Sequence, residues 1–148
     1  MIFVVDASVA AKWFIEEESS EAARRLLDHL DADTAALHAP DLIIAEMGNL
    51  LWRKCRVGEL TQFDAEDIMR SLPRYLTKLE PMTGLAAPAL ALAHELGRPI
   101  YDCLYLSCAV ALQAIVITAD LRFSQIVADT PHAQWLRFVD AIPAAPRH

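Results

Sequence analysis

Short apolar runs, each ending at or broken by a single acid, are the feature that most limits what this chain can become. Asp6 follows Ile2-Phe3-Val4-Val5, and Asp120 follows Ile115-Val116-Ile117-Thr118-Ala119. Glu46 sits inside Leu42-Ile43-Ile44-Ala45-Glu46-Met47. Asp102 is the sole charged side chain between Pro99 and Ala119. Such runs become buried strands or buried helix faces. An ionised carboxylate there is costly unless a cation compensates it. One such acid is explained by a helix cap. Four at the edges of core elements point to a shared divalent ion, which is a catalytic device.

The alternation of elements sets the fold class. The pattern predicts a strand over 2–5, helices over 7–15 and from Ser19 or Ser20 to Leu30, and a weak strand over 35–38. A strong helix follows from Pro40-Asp41 to Cys55, closed by Gly58. Thr61 starts a helix to Ser71, with Asp64 completing a weakened capping box. A strand over 75–79, a helix over 85–96 ending at Gly97, a helix opened by Asp102, and a strand over 114–118 come next. A short helix over 121–127 and an edge strand over 135–139 complete the set. Strands alternating with helices give an α/β fold, a central and mainly parallel sheet with helices on both faces. No linker or repeat divides the 148 residues. One domain over 1–140 is expected, with a loose tail over 141–148 that carries Pro143 and Pro146.

Composition narrows the class further. The net charge of −7 does not suit general attraction to nucleic acid, unless bound metal offsets the acids. Three cysteines, Cys55, Cys103 and Cys108, lack metal-type spacing and read as free thiols in a reducing cytoplasm. The stretch 103–119 is nearly uncharged. Gln113-Ala114 divides it into a Leu/Ala-rich half and a strand-like half, with no flanking basic cluster, which argues against a membrane span. The N-terminus lacks the basic region and cleavage site of a signal peptide.

Each acid has a plainer reading. Asp6, Asp102 and Asp120 each precede a predicted helix and suit an N-cap. Glu46 lies mid-helix, where no cap is needed; its plainer reading is a buried ion pair with Lys12 or Arg53. If all four converge, their repulsion calls for a hard ion such as Mg²⁺ or Mn²⁺. The five histidines are scattered, which argues against zinc.

Four segments carry a resemblance. Val5-Asp6-Ala7-Ser8 through Lys12-Trp13-Phe14, Pro40 with Glu46, Asn49 and Leu51, Tyr101-Asp102-Cys103-Leu104-Tyr105, and Thr118-Ala119-Asp120-Leu121-Arg122-Phe123 resemble PIN-domain proteins. Within that group they are most similar to VapC-type toxins of toxin–antitoxin pairs. The resemblance spans nearly the whole chain in the expected order, although 58–98 carries no signature. It implies a three-layer α/β/α fold and a Mg²⁺- or Mn²⁺-dependent endoribonuclease whose metal-activated water leaves 5′-phosphate ends. By the same resemblance Asp6, Asp102 and Asp120 are metal ligands, and Glu46 completes the catalytic acids. Ser8, Asn49 and Thr118 match polar positions near the pocket. Ser124 stands where some relatives have a further acid, which weakens a second metal site. A VapB-like antitoxin that shields the site, and a homodimer, are also implied.

Lys12, one turn beyond Ser8, and Arg122, just beyond Asp120, are candidates for phosphate contact; side chains snorkelling at the surface are the plainer reading. The cluster Arg53-Lys54-x-Arg56 suits a helix C-terminus first and RNA second. Two other functions use similar parts. An aspartate-based phosphoryl-transfer domain would place Asp-x-Asp or paired acids after the first strand, but Ser8 occupies the second place and Glu46 fits neither scheme. A non-catalytic PIN-like binding module would have no need of the full acid set.

Overall fold

The computed structural model describes residues 1–147; His148, the last residue of the expected tail, lies outside them. Among the described residues the chain forms five strands and seven α-helices. They are β1 (Ile2–Val5), α1 (Ala7–Phe14), α2 (Ser20–Asp31), β2 (Ala36–Pro40), α3 (Leu42–Arg56), α4 (Gln62–Ser71), β3 (Lys78–Glu80), α5 (Ala86–Leu96), α6 (Ile100–Leu112), β4 (Ile115–Thr118), α7 (Leu121–Ala128) and β5 (Leu136–Phe138).

All strands are parallel, in the order β3-β2-β1-β4-β5. The chain therefore builds outward from β1 to β3, then crosses back and builds outward on the other side through β4 and β5. Right-handed crossovers in opposite directions put α1–α4 on one face and α5–α7 on the other. The packing agrees: α1 lies against α2 and α3, and α6 lies on β1, β2 and β4 beside α5. This is the three-layer arrangement expected.

Phe3, Val4 and Val5 are buried because β1 is central and covered on both faces. Phe3 pairs with Leu37 of β2 and Ile115 of β4. Strand order reverses between β1 and β4, and the crevice beyond the carboxyl ends of the strands at such a point is where ligands bind. Helices that return antiparallel to the strands bring their N-termini to the same rim. Asp6, the start of α3, the start of α6 and Asp120 therefore meet at one edge of the sheet.

The helix α6 is buried continuously from Cys103 to Ala109. It has 13 residues, about 20 Å at the α-helical rise and short of a bilayer core. Gln113, in the left-handed region at φ 51°, ends it and turns the chain into β4. Among the described residues no helix is long and apolar enough to cross a membrane.

Two expectations need correction. The chain is not loose from Ala141. Ile142 is buried, Arg25 Nη1 donates to its carbonyl at 3.0 Å, and His29 Nε2 donates to the Pro143 carbonyl at 3.0 Å. The sequence around Pro143 conceals this because the anchors come from α2, more than a hundred residues away. Asp102 does not cap α6. The helix begins at Ile100 with Pro99 before it, so Asp102 falls in the first turn.

Candidate active site

Four separate segments deliver the four acids to one pocket of about 190 Å³, lined by Asp6, Ser8, Glu46, Arg53, Asp102, Tyr105 and Asp120 among others. A bigger cavity of about 560 Å³ lies between α3 and α4, where Leu51, Trp52, Ala65 and Met69 make it mainly apolar. Chemistry rather than size marks the site.

Asp6 and Asp120 cap helices and line the pocket at once, so the capping role does not remove either acid from the site. Asp6 Oδ1 accepts from the Val9 amide at 3.1 Å and the Ser8 hydroxyl at 2.6 Å. Asp120 Oδ1 accepts from the Phe123 amide at 3.0 Å, which leaves Oδ2 turned inward. Each carboxylate sits at the positive end of a helix. Ser8 Oγ also accepts from the Ala119 amide at 3.0 Å, tying α1 to the turn after β4. Thr118 Oγ1 accepts from the Asp120 amide at 3.1 Å, and its hydroxyl also bonds Asp6. Both hydroxyls thus set the positions of the first and last acids.

Burial is the main influence on Asp6. It raises the carboxyl from its ordinary 3.8 to about 6, against the Ser8, Thr118 and Val9 hydrogen bonds, and the charge of Asp102 adds to the rise. Glu46 is raised for the same first reason; the Tyr105 hydroxyl, donating at 2.5 Å to Oε1, pulls it back, and Asp102 raises it again. Glu46 therefore makes neither of the ion pairs expected for it. Its partner is a phenol on α6.

Lys12 is turned away from the pocket. Its ammonium donates to the Glu18 carbonyl at 2.6 Å and lies 3.5 Å from Glu17 Oε1. Arg122 is exposed and lines neither the pocket nor the groove beside it. Asn49 does line that groove, with Leu42, Ala45, Glu46, Arg53 and Tyr101. The groove opens into the pocket along Glu46 and Arg53, which belong to both.

Sequence reasoning missed Arg98. Its Nη2 donates to Asp102 Oδ2 at 2.5 Å and to Asp120 Oδ2 at 3.1 Å. The signal was present: Arg98 precedes Asp102 by four residues, a spacing common to ion pairs. Tyr105 was missed as well, though three residues after Asp102 it shares that acid's helix face.

The order of these residues along the fold can be compared with known proteins. The family model for the PIN domain matches residues 3–128. The chain belongs to the PIN domain family. Ribonuclease VapC3 of Pyrobaculum aerophilum is 30% identical over 127 residues, covering 84% of this chain and 94% of the relative. Ribonuclease VapC9 of Mycobacterium tuberculosis is 29% identical over 133 residues, covering 90% and 94%. Among solved structures, PAE2754 from Pyrobaculum aerophilum is similar at a TM-score of 0.63 and 23% identity, covering 95% of this chain and 93% of that one. VapBC2 from Rickettsia felis, bound to a DNA fragment from its promoter, is similar at 0.63 and 15% identity, covering 93% and 98%. These two likenesses confirm the α/β fold.

The donor set of this PIN domain suits a hard cation: carboxylate and hydroxyl oxygens, with neither thiol nor imidazole lining the pocket. Burial holds the Asp6 and Glu46 carboxyls above their ordinary range, the charge of Asp102 adds to the rise, and a bound cation would offset both. With Arg98 drawn onto Asp102 and Asp120, no three His, Cys, Asp or Glu side chains among the described residues converge closely enough to hold a metal ion. The residues fit a divalent ion in kind. The guanidinium stands on two of them.

Proposed function

We propose that this PIN domain is a metal-dependent endoribonuclease, the toxin of a toxin–antitoxin pair, that hydrolyses RNA phosphodiesters with water. The observation that carries the reading is the delivery of Asp6, Glu46, Asp102 and Asp120, from four distant segments, to one pocket at the strand-order reversal of a parallel sheet. Relatives of about this length that are named ribonucleases support it.

Asp6, Asp102 and Asp120 would hold a Mg²⁺ or Mn²⁺ ion. Bound there, the ion supplies Lewis acidity toward the scissile phosphate and lowers the pKa of the attacking water. Ser8 and Thr118 keep Asp6 oriented through their hydroxyls. Glu46 is suited to take the proton from that water, since its carboxyl is raised and fixed at one oxygen by Tyr105. Its other oxygen, Oε2, has no hydrogen-bond partner among the described residues. Arg53 and Asn49 offer a phosphate contact each along the groove, and the exposed Tyr101 ring offers a stacking surface for a base. Lys12 is held by Glu17 and Glu18, and Arg122 is exposed outside the pocket lining, so Arg53 and Asn49 are the nearer substrate contacts.

An aspartyl-phosphate route is disfavoured by Asp6 itself, whose Oδ1 already accepts two hydrogen bonds at the helix start. A VapB-like antitoxin, assembly as a homodimer and a cytoplasmic setting complete the proposal; the free state of the three cysteines agrees with the last. The test is RNA cleavage with chelator and with added ion. EDTA should abolish cleavage and Mn²⁺ restore it, with 5′-phosphate ends on the products. Cleavage that persists in EDTA refutes the mechanism.

A further inference from the structure

Arg98 is placed unlike an ordinary surface arginine. It follows Gly97, whose left-handed φ of 63° ends α5, and its own amide donates to the Ala93 carbonyl at 3.2 Å. The backbone is thus pinned at the rim. The guanidinium carbon lies 5.3 Å from the centre of the Phe123 ring, a cation–π contact that ties the group to α7. From there one nitrogen, Nη2, serves both Asp102 and Asp120.

That pairing is incomplete. The strong arrangement of arginine with carboxylate uses two parallel N–H donors on one acid. Here a single nitrogen is divided between two acids, and Nε is buried with no partner among the described residues. An unmet buried donor carries a free-energy cost that release of the guanidinium would relieve. The two carboxylates it holds are also the accessible ones. The Asp102 and Asp120 side chains keep 31% and 40% of their exposure, whereas Asp6 as a residue keeps 7%.

We infer that Arg98 is a resident counter-cation that competes with a divalent ion for Asp102 and Asp120, so that this chain sets its own threshold for metal binding. The inference rests on the metal site proposed above. Arg98 is a positioning residue: it neutralises two acids while the ion is away, prevents their mutual repulsion, and must let go for the ion to enter. Arg53 lines the same pocket but pairs with none of the four acids among the described residues, so it adds charge without competing for oxygens.

The test is Mn²⁺ affinity by calorimetry on the full chain, with Arg98→Gln, Arg98→Lys and Arg53→Gln. Arg98→Gln should bind Mn²⁺ about tenfold more tightly, the equivalent of one charge-assisted hydrogen bond partly screened by solvent. Arg98→Lys should fall between it and the parent. Arg53→Gln should change affinity by less than about threefold, because a charge that only shares the field is screened. Equal tightening in the Arg98 and Arg53 variants would overturn competition in favour of a general field effect. Unchanged or weaker binding in Arg98→Gln would also overturn it. No Mn²⁺ binding by any form would instead remove the metal site, and the inference with it. Should Arg98→Gln fail to fold, the parent chain suffices: on titration with Mg²⁺, the Arg98 Nε–H resonance should shift and exchange faster with water as the site saturates. Saturation without any change at Arg98 overturns the proposal.

Discussion

The Tyr105 hydroxyl and Glu46 Oε1 lie 2.5 Å apart, joining α6 to α3 in the lining of the acid pocket. Burial pushes the phenol well above its ordinary pKa, and the charge of Glu46 and its hydrogen bond push it further. Tyr105 is therefore a permanent donor. It fixes one carboxyl oxygen of an acid that no helix cap holds in place.

Replacing Tyr105 by Phe should cost about 1 kcal/mol of stability, the net worth of one hydrogen bond, read by urea denaturation. Loss of the donor should raise the Glu46 pKa, because that bond is what lowers it. If Glu46 works as a base, the acidic limb of the RNA cleavage profile moves to higher pH in this variant, with fold and RNA binding retained.

Asp6 runs against the usual behaviour of carboxylates. Its folded pKa of about 6 exceeds its ordinary 3.8, so the folded chain binds the proton more tightly than the unfolded one. Its contribution is fully present below the unfolded value, is lost as pH rises through about 6, and stays lost above. The loss is on the order of 3 kcal/mol. In EDTA, Asp6→Asn should match the parent near pH 4 and become progressively more stable than it up to pH 7; the amide still caps α1. A constant difference across that range would contradict the assignment.

Thr118→Val preserves shape and removes a wholly buried hydroxyl. The Asp120 amide loses its acceptor, and Asp6 loses one of the bonds that lower its pKa. Thermal or chemical denaturation should show a loss of about 1–2 kcal/mol. The stability step attributed to Asp6 should also move to higher pH. Thr118→Ser, which retains the hydroxyl, should restore the position of that step.

The thiols should react unequally. Burial raises Cys103 to about 11, with help from the charge of Asp102, and raises Cys108 to about 12. Cys55 is partly accessible near the end of α3. Alkylation of the native chain at pH 8 should modify Cys55 rapidly and the other two only after unfolding, as read by peptide mass. Rapid labelling of Cys103 would show that α6 opens on its own.

The runs 2–5 and 115–118 announced central strands, and the acids at their ends announced the site, because desolvation is a local demand. A charge beside four apolar residues is anomalous whatever the remainder of the chain does. Helix starts were readable for the same reason, since a cap involves residues within one turn: Asp6 with Val9, Asp120 with Phe123, Thr61 with Asp64. Helix periodicity marked Glu46 as an anomaly but left its partner open.

Partnership was the part that local pattern left undecided. Lys12 lay one turn from Ser8 and was a reasonable phosphate contact, yet Glu17 and Glu18 hold it elsewhere. Glu46 found Tyr105 and not Arg53; Asp102 and Asp120 found Arg98; Ile142 and Pro143 found Arg25 and His29. The pairings of Glu46 with Tyr105 and of Asp120 with Arg98 follow from the order β3-β2-β1-β4-β5 and the direction of its crossovers, which bring remote segments to one rim. An amino-acid string carries the cost of burying a charge within a few neighbouring residues. Which distant group offsets that cost is settled by the path of the chain through space.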